Sequence, residues 1–109
     1  MILTVTLNPA LDKTVRVADF AIGRLNRAGS VRVDAGGKGI NVARAVRGLG
    51  GACTAMGFLP GRGGAWIGDQ LAGFGIGADF VSTPGEARTN LKIADRDNGT
   101  VTELNEAGP

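Results

Sequence analysis

Apolar and polar residues alternate through Ile2–Leu7 (I-L-T-V-T-L), with β-branched side chains at four of the six positions. That pattern predicts a strand, and Asn8-Pro9 ends it because proline has no N–H to give to a ladder. Thr14–Val17 (T-V-R-V) and Ser30–Val33 (S-V-R-V) alternate in the same way, which predicts two short strands that each turn an arginine toward water. From Ile40 to Leu49 the period lengthens. Val42, Val46 and Leu49, flanked by Ala43 and Ala45, predict one buried helical face, with Arg44 and Arg47 on the solvated side and Gly48, Gly50 and Gly51 ending the helix. Ala52–Leu59 is a nearly continuous apolar run of strand length, as in a parallel strand covered on both faces. Pro60–Gly64 reads as a loop, Ala65–Phe74 as a second helix through Ile67, Leu71 and Phe74, and Ala78–Val81 as a further strand. Thr89–Ala94 and Thr100–Leu104 flank Asp95-Arg96-Asp97-Asn98-Gly99, and Asn-Gly between alternating runs predicts a hairpin.

A strand–helix–strand–helix–strand succession implies an α/β fold with a parallel sheet, to which antiparallel ribbon pieces are added near residues 13–34 and 87–105. Two helices are too few to shield both faces of three parallel strands. The sheet therefore reads as incomplete, either as part of a larger protein or as a surface covered by a partner. Length agrees with one domain at most, since 109 residues fall below the roughly 150 allowed per domain. Glycine is the compositional outlier, with 19 residues, 14 of them between Gly36 and Gly77. Leu, Ile, Val and Phe still total 28, enough for a core. Cys53 is the only cysteine and there is no histidine, which excludes disulfides and every histidine-dependent triad or zinc site. Cys53 itself reads as a buried structural thiol. The longest uncharged stretch, residues 48–61, has five glycines and a proline, so no membrane helix is expected. The N-terminus reads as a strand and not as a signal peptide, and a cytoplasmic protein is the expectation.

Net charge is only +2, but residues 13–47 carry eight basic and two acidic side chains, whereas the rest carry four and eight. The basic segment favours an anionic partner. It lacks the aromatic platforms of single-strand binders and any helix-turn-helix or RNP pattern, so a small phosphorylated molecule fits better than nucleic acid. Candidate chemistry converges on A-G-G-K-G-I-N-V-A-R (35–44), which leads from a strand into a helix. Gly36, Gly37 and Gly39 around Lys38 offer bare N–H groups, a helix N-terminus and an ammonium to an anion or to hydroxyls. Asn41, one turn into the helix, can hold a hydroxyl as donor and acceptor. A P-loop fails at Arg32 and Gly39, and G-x-G-x-x-G fails at Val42. Gly73–Ala78 fits G-x-G-x-x-A but ends a helix and opens a strand, the reverse of a dinucleotide site. The same glycines also suit a tight turn that admits a helix close to a sheet. Asp12, after the first strand, can accept hydrogen bonds from two sugar hydroxyls, or can cap a turn. Arg88, opening a ribbon strand, can clamp phosphate in a bidentate way, or can be an ordinary edge-strand arginine. Arg27 and Lys92 read as surface charge.

T-L-N-P-A-L-D, A-G-G-K-G-I-N-V-A-R-A-V-R-G-L-G-G, A-R-T-N and T-E-L-N-E-A-G-P follow one another in this order along the chain. Together they resemble the N-terminal part of the PfkB (ribokinase-like) carbohydrate kinases, in the phosphosugar branch that contains 1-phosphofructokinase and tagatose-6-phosphate kinase. The resemblance implies a three-layer α/β/α core, incomplete here, with a small β-sheet lid that commonly serves as a dimer interface. The core pieces would be about 1–12 and 35–86, and the lid pieces about 13–34 and 87–105. It implies ATP-dependent phosphoryl transfer, with Mg2+, to a ketohexose phosphate such as fructose 1-phosphate. A non-catalytic sugar-phosphate-binding or dimerisation module is the alternative. Asp12, Gly36, Gly37, Lys38 and Asn41 would line the sugar site, and Arg88 would approach the substrate phosphate. The family's G-A-G-D motif, whose aspartate takes the proton from the accepting hydroxyl, is absent from these residues, as is the ATP pocket. No catalytic residue and no metal ligand is therefore expected in this chain.

Overall fold

In the computed structural model, which describes residues 1–108, the chain runs β1 (Ile2–Thr6), β2 (Ala10–Val17), β3 (Ala28–Gly36), α1 (Lys38–Gly48), β4 (Cys53–Pro60), α2 (Gly61–Gly73), β5 (Gly77–Thr83), β6 (Arg88–Asp95) and β7 (Val101–Asn105). Pro109, the last residue of T-E-L-N-E-A-G-P, lies outside the described residues. The strands form two sheets. One is parallel throughout, in the order β1-β4-β5, and the other is mixed, in the order β3-β2-β6-β7. These are the α/β core and the small β-sheet of the ribokinase-like pattern.

The core sheet has one covered face. Parallel register pairs Ile2 with Cys53, Thr4 with Ala55 and Thr6 with Gly57, so these residues share the side on which both helices pack. There Ile40 and Ala43 of α1 meet Cys53 and Ala55 of β4 and Ile67 and Leu71 of α2 in one cluster. Leu3, Val5, Phe58 and Val81 point the other way and are exposed. The continuous apolar run in β4 predicts cover on both faces, and the described residues supply it on one. The reason is topological. Right-handed crossovers from β1 to β4 and from β4 to β5 advance in the same direction, so both helices land on the same side.

Three local readings change in the structure. The buried face of α1 is carried by Ile40 and Ala43, whereas Val42 and Leu49 are exposed. Val46 packs, partly buried, against the core cluster as expected, but docking onto β1 rolls Val42 and Leu49 out of it. Arg44 is not simply solvated, since its guanidinium lies 4.8 Å from the Phe74 ring centroid and donates to the Ala35 carbonyl at 3.3 Å. Residues 61–64 are helix and not loop: α2 starts directly after Pro60, whose extended backbone forms the N-cap. Small residues are needed there, because side chains at 63 and 64 would press on Ala87 and Leu59. Tertiary contact therefore outweighs the poor helix propensity of glycine.

The second sheet pairs β2 antiparallel with β3, β2 parallel with β6, and β6 antiparallel with β7. Its strands are longer than the alternating runs that announce them. β2 begins at Ala10, so Asp12 lies within that strand and does not cap a turn after β1. Alternation then sorts the two faces. Asp34, Asp12, Asn90 and Asn105 form one cross-strand row, and Arg32, Thr14, Lys92 and Glu103 the next on the same face. The opposite face carries Val31, Val15 and Ile93 in one row and Val33, Lys13, Leu91 and Leu104 in the adjoining row, and Val31, Val33 and Leu104 are exposed.

Asp95 closes this sheet at its far end. Its carboxylate accepts from Asn98 Nδ2 at 2.7 Å, from the backbone N–H of Phe20 at 2.9 Å, and from the N–H groups of Asp97 and Asn98 at 3.0 and 3.3 Å. One side chain thus holds the β6–β7 turn and the β2–β3 connection together. The Asn98 amide, aided by these N–H groups, holds the carboxyl below its ordinary range against the opposing effect of burial. A depressed folded-state pKa contributes stability above the unfolded value, and that contribution is lost as pH falls through the folded value. The substitution Asp95→Asn should therefore lower the urea midpoint at pH 7, and the difference from the parent should shrink below about pH 4. A difference that stays constant with pH would show that the charge is not what holds the turn. A second expectation concerns β1, where the buried hydroxyls of Thr4 and Thr6 have no partner among the described residues. Thr4→Val keeps the shape and removes an unpaired hydroxyl, so unfolding should show it neutral or more stable by up to about 1 kcal/mol.

Candidate functional site

Asn8-Pro9 carries the chain from the core sheet into β2, and Gly36-Gly37 carries it back from β3 into α1. The two crossings lie side by side. A Cβ at Gly37 would sit 2.9 Å from the Thr6 side chain and 3.3 Å from Pro9 Cα, and one at Gly39 would sit 2.7 Å from the Val5 carbonyl oxygen. Gly37 is the N-cap of α1 with φ 118°, a backbone conformation other residues rarely adopt. It supplies no side-chain cap, so the first-turn N–H groups and the positive end of the helix dipole stay open to a ligand.

Above this turn lies a cavity of about 200 Å3 lined by Asp12, Gly37, Lys38, Asn41, Arg88, Asn90, Lys92, Glu103 and Asn105. Core and small sheet both contribute to it: Lys38 and Asn41 come from α1, Asp12 from β2, Arg88, Asn90 and Lys92 from β6, Glu103 and Asn105 from β7. The structure thus collects Asp12, Gly37, Lys38, Asn41 and Arg88 around one volume. Gly36 does not line it. Gly36 lies beneath the Asp12 carboxylate, which fills the place a side chain would need. A second hollow of about 230 Å3, lined by residues that include Thr6, Asn8 and Gly39, shares Lys38 and Arg88 with the first.

Hydrogen bonds hold the charged groups in place. Arg88 Nε donates to the Asn8 carbonyl at 3.3 Å and Nη1 donates to Asn90 Oδ1 at 3.4 Å, and Nη2 has no hydrogen-bond partner among the described residues. Asn90 Nδ2 donates to Asp12 Oδ1 at 3.3 Å. Asp34, directly across the ladder from Asp12, is neutralised by Arg32, whose Nε lies 2.9 Å from Asp34 Oδ2. Lys92 and Glu103 face each other more loosely, at 3.9 Å. Acceptors for hydroxyls therefore stand beside cations suited to phosphate.

A larger open groove of about 760 Å3 runs along α1 past Arg44, Arg47 and Phe74. It gathers no carboxylate, and Arg44 is already engaged with Phe74 and Ala35. The smaller cavity, with several polar groups converging on it, is the site candidate. Asn90 ends the A-R-T-N motif, and Glu103 and Asn105 fall in T-E-L-N-E-A-G-P, but the sequence assigns none of the three a role, and Lys92 reads there as surface charge. Alternation from Arg88 places Asn90 and Lys92 on its face, and the hairpin register adds Asn105 and Glu103. Only the parallel pairing of β2 with β6, between residues some 78 positions apart, brings that face to Asp12. Among the described residues no three histidine, cysteine, aspartate or glutamate side chains converge as metal ligands, so none is assigned to Mg2+.

Known proteins share this arrangement. The family model described as pfkB family carbohydrate kinase matches residues 5–109. The 1-phosphofructokinase of Bacillus subtilis is 40% identical over 109 residues, covering 100% of this chain and 35% of that protein. The tagatose-6-phosphate kinase of Staphylococcus epidermidis is 38% identical, covering 100% and 34%. The crystal structure of phosphofructokinase-2 from Escherichia coli in complex with fructose 6-phosphate superposes with a TM-score of 0.92 at 30% identity, covering 98% of this chain and 35% of that one. The chain thus spans about a third of the length of the relatives it matches. Its two sheets, its glycine-rich turn and a family match over nearly every residue agree, and the chain belongs to the pfkB family of carbohydrate kinases.

Proposed function

We propose that this chain forms the sugar-binding and lid part of a kinase that transfers a phosphoryl group from ATP, with Mg2+, to a hydroxyl of a ketohexose phosphate, converting fructose 1-phosphate to fructose 1,6-bisphosphate. The observation that carries the reading is the placing of the Asp12 carboxylate, the Lys38 ammonium and the Arg88 guanidinium around one volume of about 200 Å3. That volume is below the roughly 300–1,000 Å3 of drug-sized pockets and suits a small polar ligand. In this reading Asp12 and Asn41 receive sugar hydroxyls, Gly37 lets the sugar approach the backbone, Gly36 makes room for the Asp12 carboxylate, and Lys38 and Arg88 face the sugar's phosphate. Fructose 1-phosphate is favoured because 1-phosphofructokinases recur among the relatives.

The apolar face of the β3-β2-β6-β7 sheet, with Val31, Val33 and Leu104 exposed, supports a homodimer formed through the lid. No described helix is long and apolar enough to cross a membrane, which accords with a cytoplasmic protein. Of the basic stretch 13–47, Lys38 lines the cavity, and its ammonium is read as serving a phosphosugar and not nucleic acid. Phosphoryl transfer requires nucleotide and metal to be positioned against the acceptor. This reading assigns the proton-accepting aspartate and the ATP pocket to residues other than 1–109.

Thermal unfolding of the whole protein with fructose 1-phosphate, fructose 6-phosphate and tagatose 6-phosphate at one common concentration, a hundredfold above the Kd for fructose 1-phosphate, should show stabilisation of about 2–3 kcal/mol with fructose 1-phosphate and less with the other two. Asp12→Ala and Arg88→Ala should each remove most of that response. If both variants respond as the parent does, the site assignment is wrong. The 109-residue chain on its own should show no ATP-dependent phosphorylation of these sugars, and turnover in a preparation free of other kinases would place the catalytic machinery within it.

A further inference from the structure

We propose that Asn90 is a positioning residue, a neutral spacer that keeps the Asp12 carboxylate and the Arg88 guanidinium apart so that the cavity can engage a hydroxyl and a phosphate of one ligand together. The inference rests on the functional reading above and adds to it a role for Asn90, which the A-R-T-N motif contains without assigning it one.

Asp12 and Arg88 are opposite charges lining one small cavity, yet they do not form an ion pair. The ion pairs of the described residues are Arg32–Asp34, Lys92–Glu103 and Arg96–Asp97. Between Asp12 and Arg88 stands the Asn90 amide. Its oxygen accepts from Arg88 Nη1 at 3.4 Å and its nitrogen donates to Asp12 Oδ1 at 3.3 Å. Only one amide orientation works, since the flipped amide would set oxygen against carboxylate and nitrogen against guanidinium. Backbone register enforces the arrangement: Asn90 pairs with Asp12 across the parallel β2/β6 ladder, and Arg88 precedes it by two residues on the same face. Each charge also has a second anchor. Arg88 Nε is held by the Asn8 carbonyl, and the Asp12 carboxylate rests on Gly36. Arg88 thereby spends two hydrogen bonds on neutral partners and Asp12 one, and each keeps the remainder for ligand. Without the amide they would meet in a direct ion pair, and a ligand would have to break it.

Substitution separates this role from simple packing. Asn90→Leu keeps the volume and removes both hydrogen bonds. In the full-length protein it should raise KM and Kd for the ketohexose phosphate about ten- to a hundredfold while kcat stays within about threefold, as expected when an interaction made equally in ground and transition states is lost. Asn90→Asp places a carboxylate beside Asp12 and Arg88, in the row that holds Asp34 on β3, with Arg32 of β3, Lys92 of β6 and Glu103 of β7 in the next row and Lys38 of α1 lining the same cavity. At about pH 8 it should bind as weakly as Asn90→Leu. A carboxylic acid, once protonated, can donate to Asp12 and accept from Arg88 as the amide does. The Asn90→Asp protein should therefore regain most of its lost affinity toward about pH 5.5, because two adjacent carboxyls readily share a proton. Affinity is read by calorimetry as a ratio to the unsubstituted protein at each pH, since the ligand phosphate titrates in the same range. Recovery by Asn90→Asp but not by Asn90→Leu supports the spacer. If the unsubstituted protein binds ketohexose phosphates and either variant binds them equally well at pH 8, the inference is overturned alone. It also falls if both variants are weak and neither recovers at low pH. If the unsubstituted protein binds none of them, the functional reading falls and the inference with it.

Discussion

Everything at the site depends on how closely the turn between β3 and α1 approaches the start of the chain. Gly37 turns with φ 118° over Pro9 and Thr6, and Gly39 lies directly on the backbone of β1. Any side chain at 39 would meet the Val5 carbonyl, so the helix can be this close only with a bare backbone. That approach has three effects. It seats Ile40 and Ala43 in the core, it leaves the first-turn N–H groups of α1 uncapped, and it brings Lys38 and Asn41 of the core within one cavity of Asp12 on the other sheet. The glycines serve first to admit the helix close to the sheet. Their proposed service to a sugar follows from the same geometry.

Each sheet divides its faces between separate tasks. In the core sheet, Cys53 and Ala55 meet the helices, while Leu3, Val5, Phe58 and Val81 remain in water. In the second sheet, one face collects Asp12, Asn90, Lys92, Glu103 and Asn105, and the other presents Val31, Val33 and Leu104. The chain spans about 35% of the length of a pfkB relative, and under the proposed reading the face of the second sheet that bears Val31, Val33 and Leu104 pairs with another copy. Asp95 serves the second sheet at the end away from the cavity, where a single carboxylate receives four hydrogen bonds from two connections.

Legibility in the sequence follows the range of the interactions. Alternation locates the strands, and the Asp95–Gly99 segment announces the β6–β7 hairpin that the structure contains, because both depend on neighbours in the chain. The buried face of α1 is not legible through Val42 and Leu49, since which side of a helix faces inward is set by what it docks against. The first turn of α2 reads as a loop, since the contacts of residues 63 and 64 with Ala87 and Leu59 exist only in the folded molecule. Lys92 reads as surface charge because its strand neighbours say nothing about the cavity above it.

By itself the sequence determined the α/β class, the order of most elements, the exclusion of histidine and disulfide chemistry, and the family to which the motifs point. The class, the element order and the exclusions follow from composition and from periodicities of two and about 3.6 residues, which are local properties of the chain, and the family from the resemblance its motifs carry. Tertiary structure alone decided that the helices share one face of the core sheet, that Asp12 lies within a strand, and that Asn90 sits between Asp12 and Arg88. Each of these depends on pairing across long stretches of chain, β1 with β4 and β2 with β6. Strand register of that kind is settled by global packing, which no local window of residues contains.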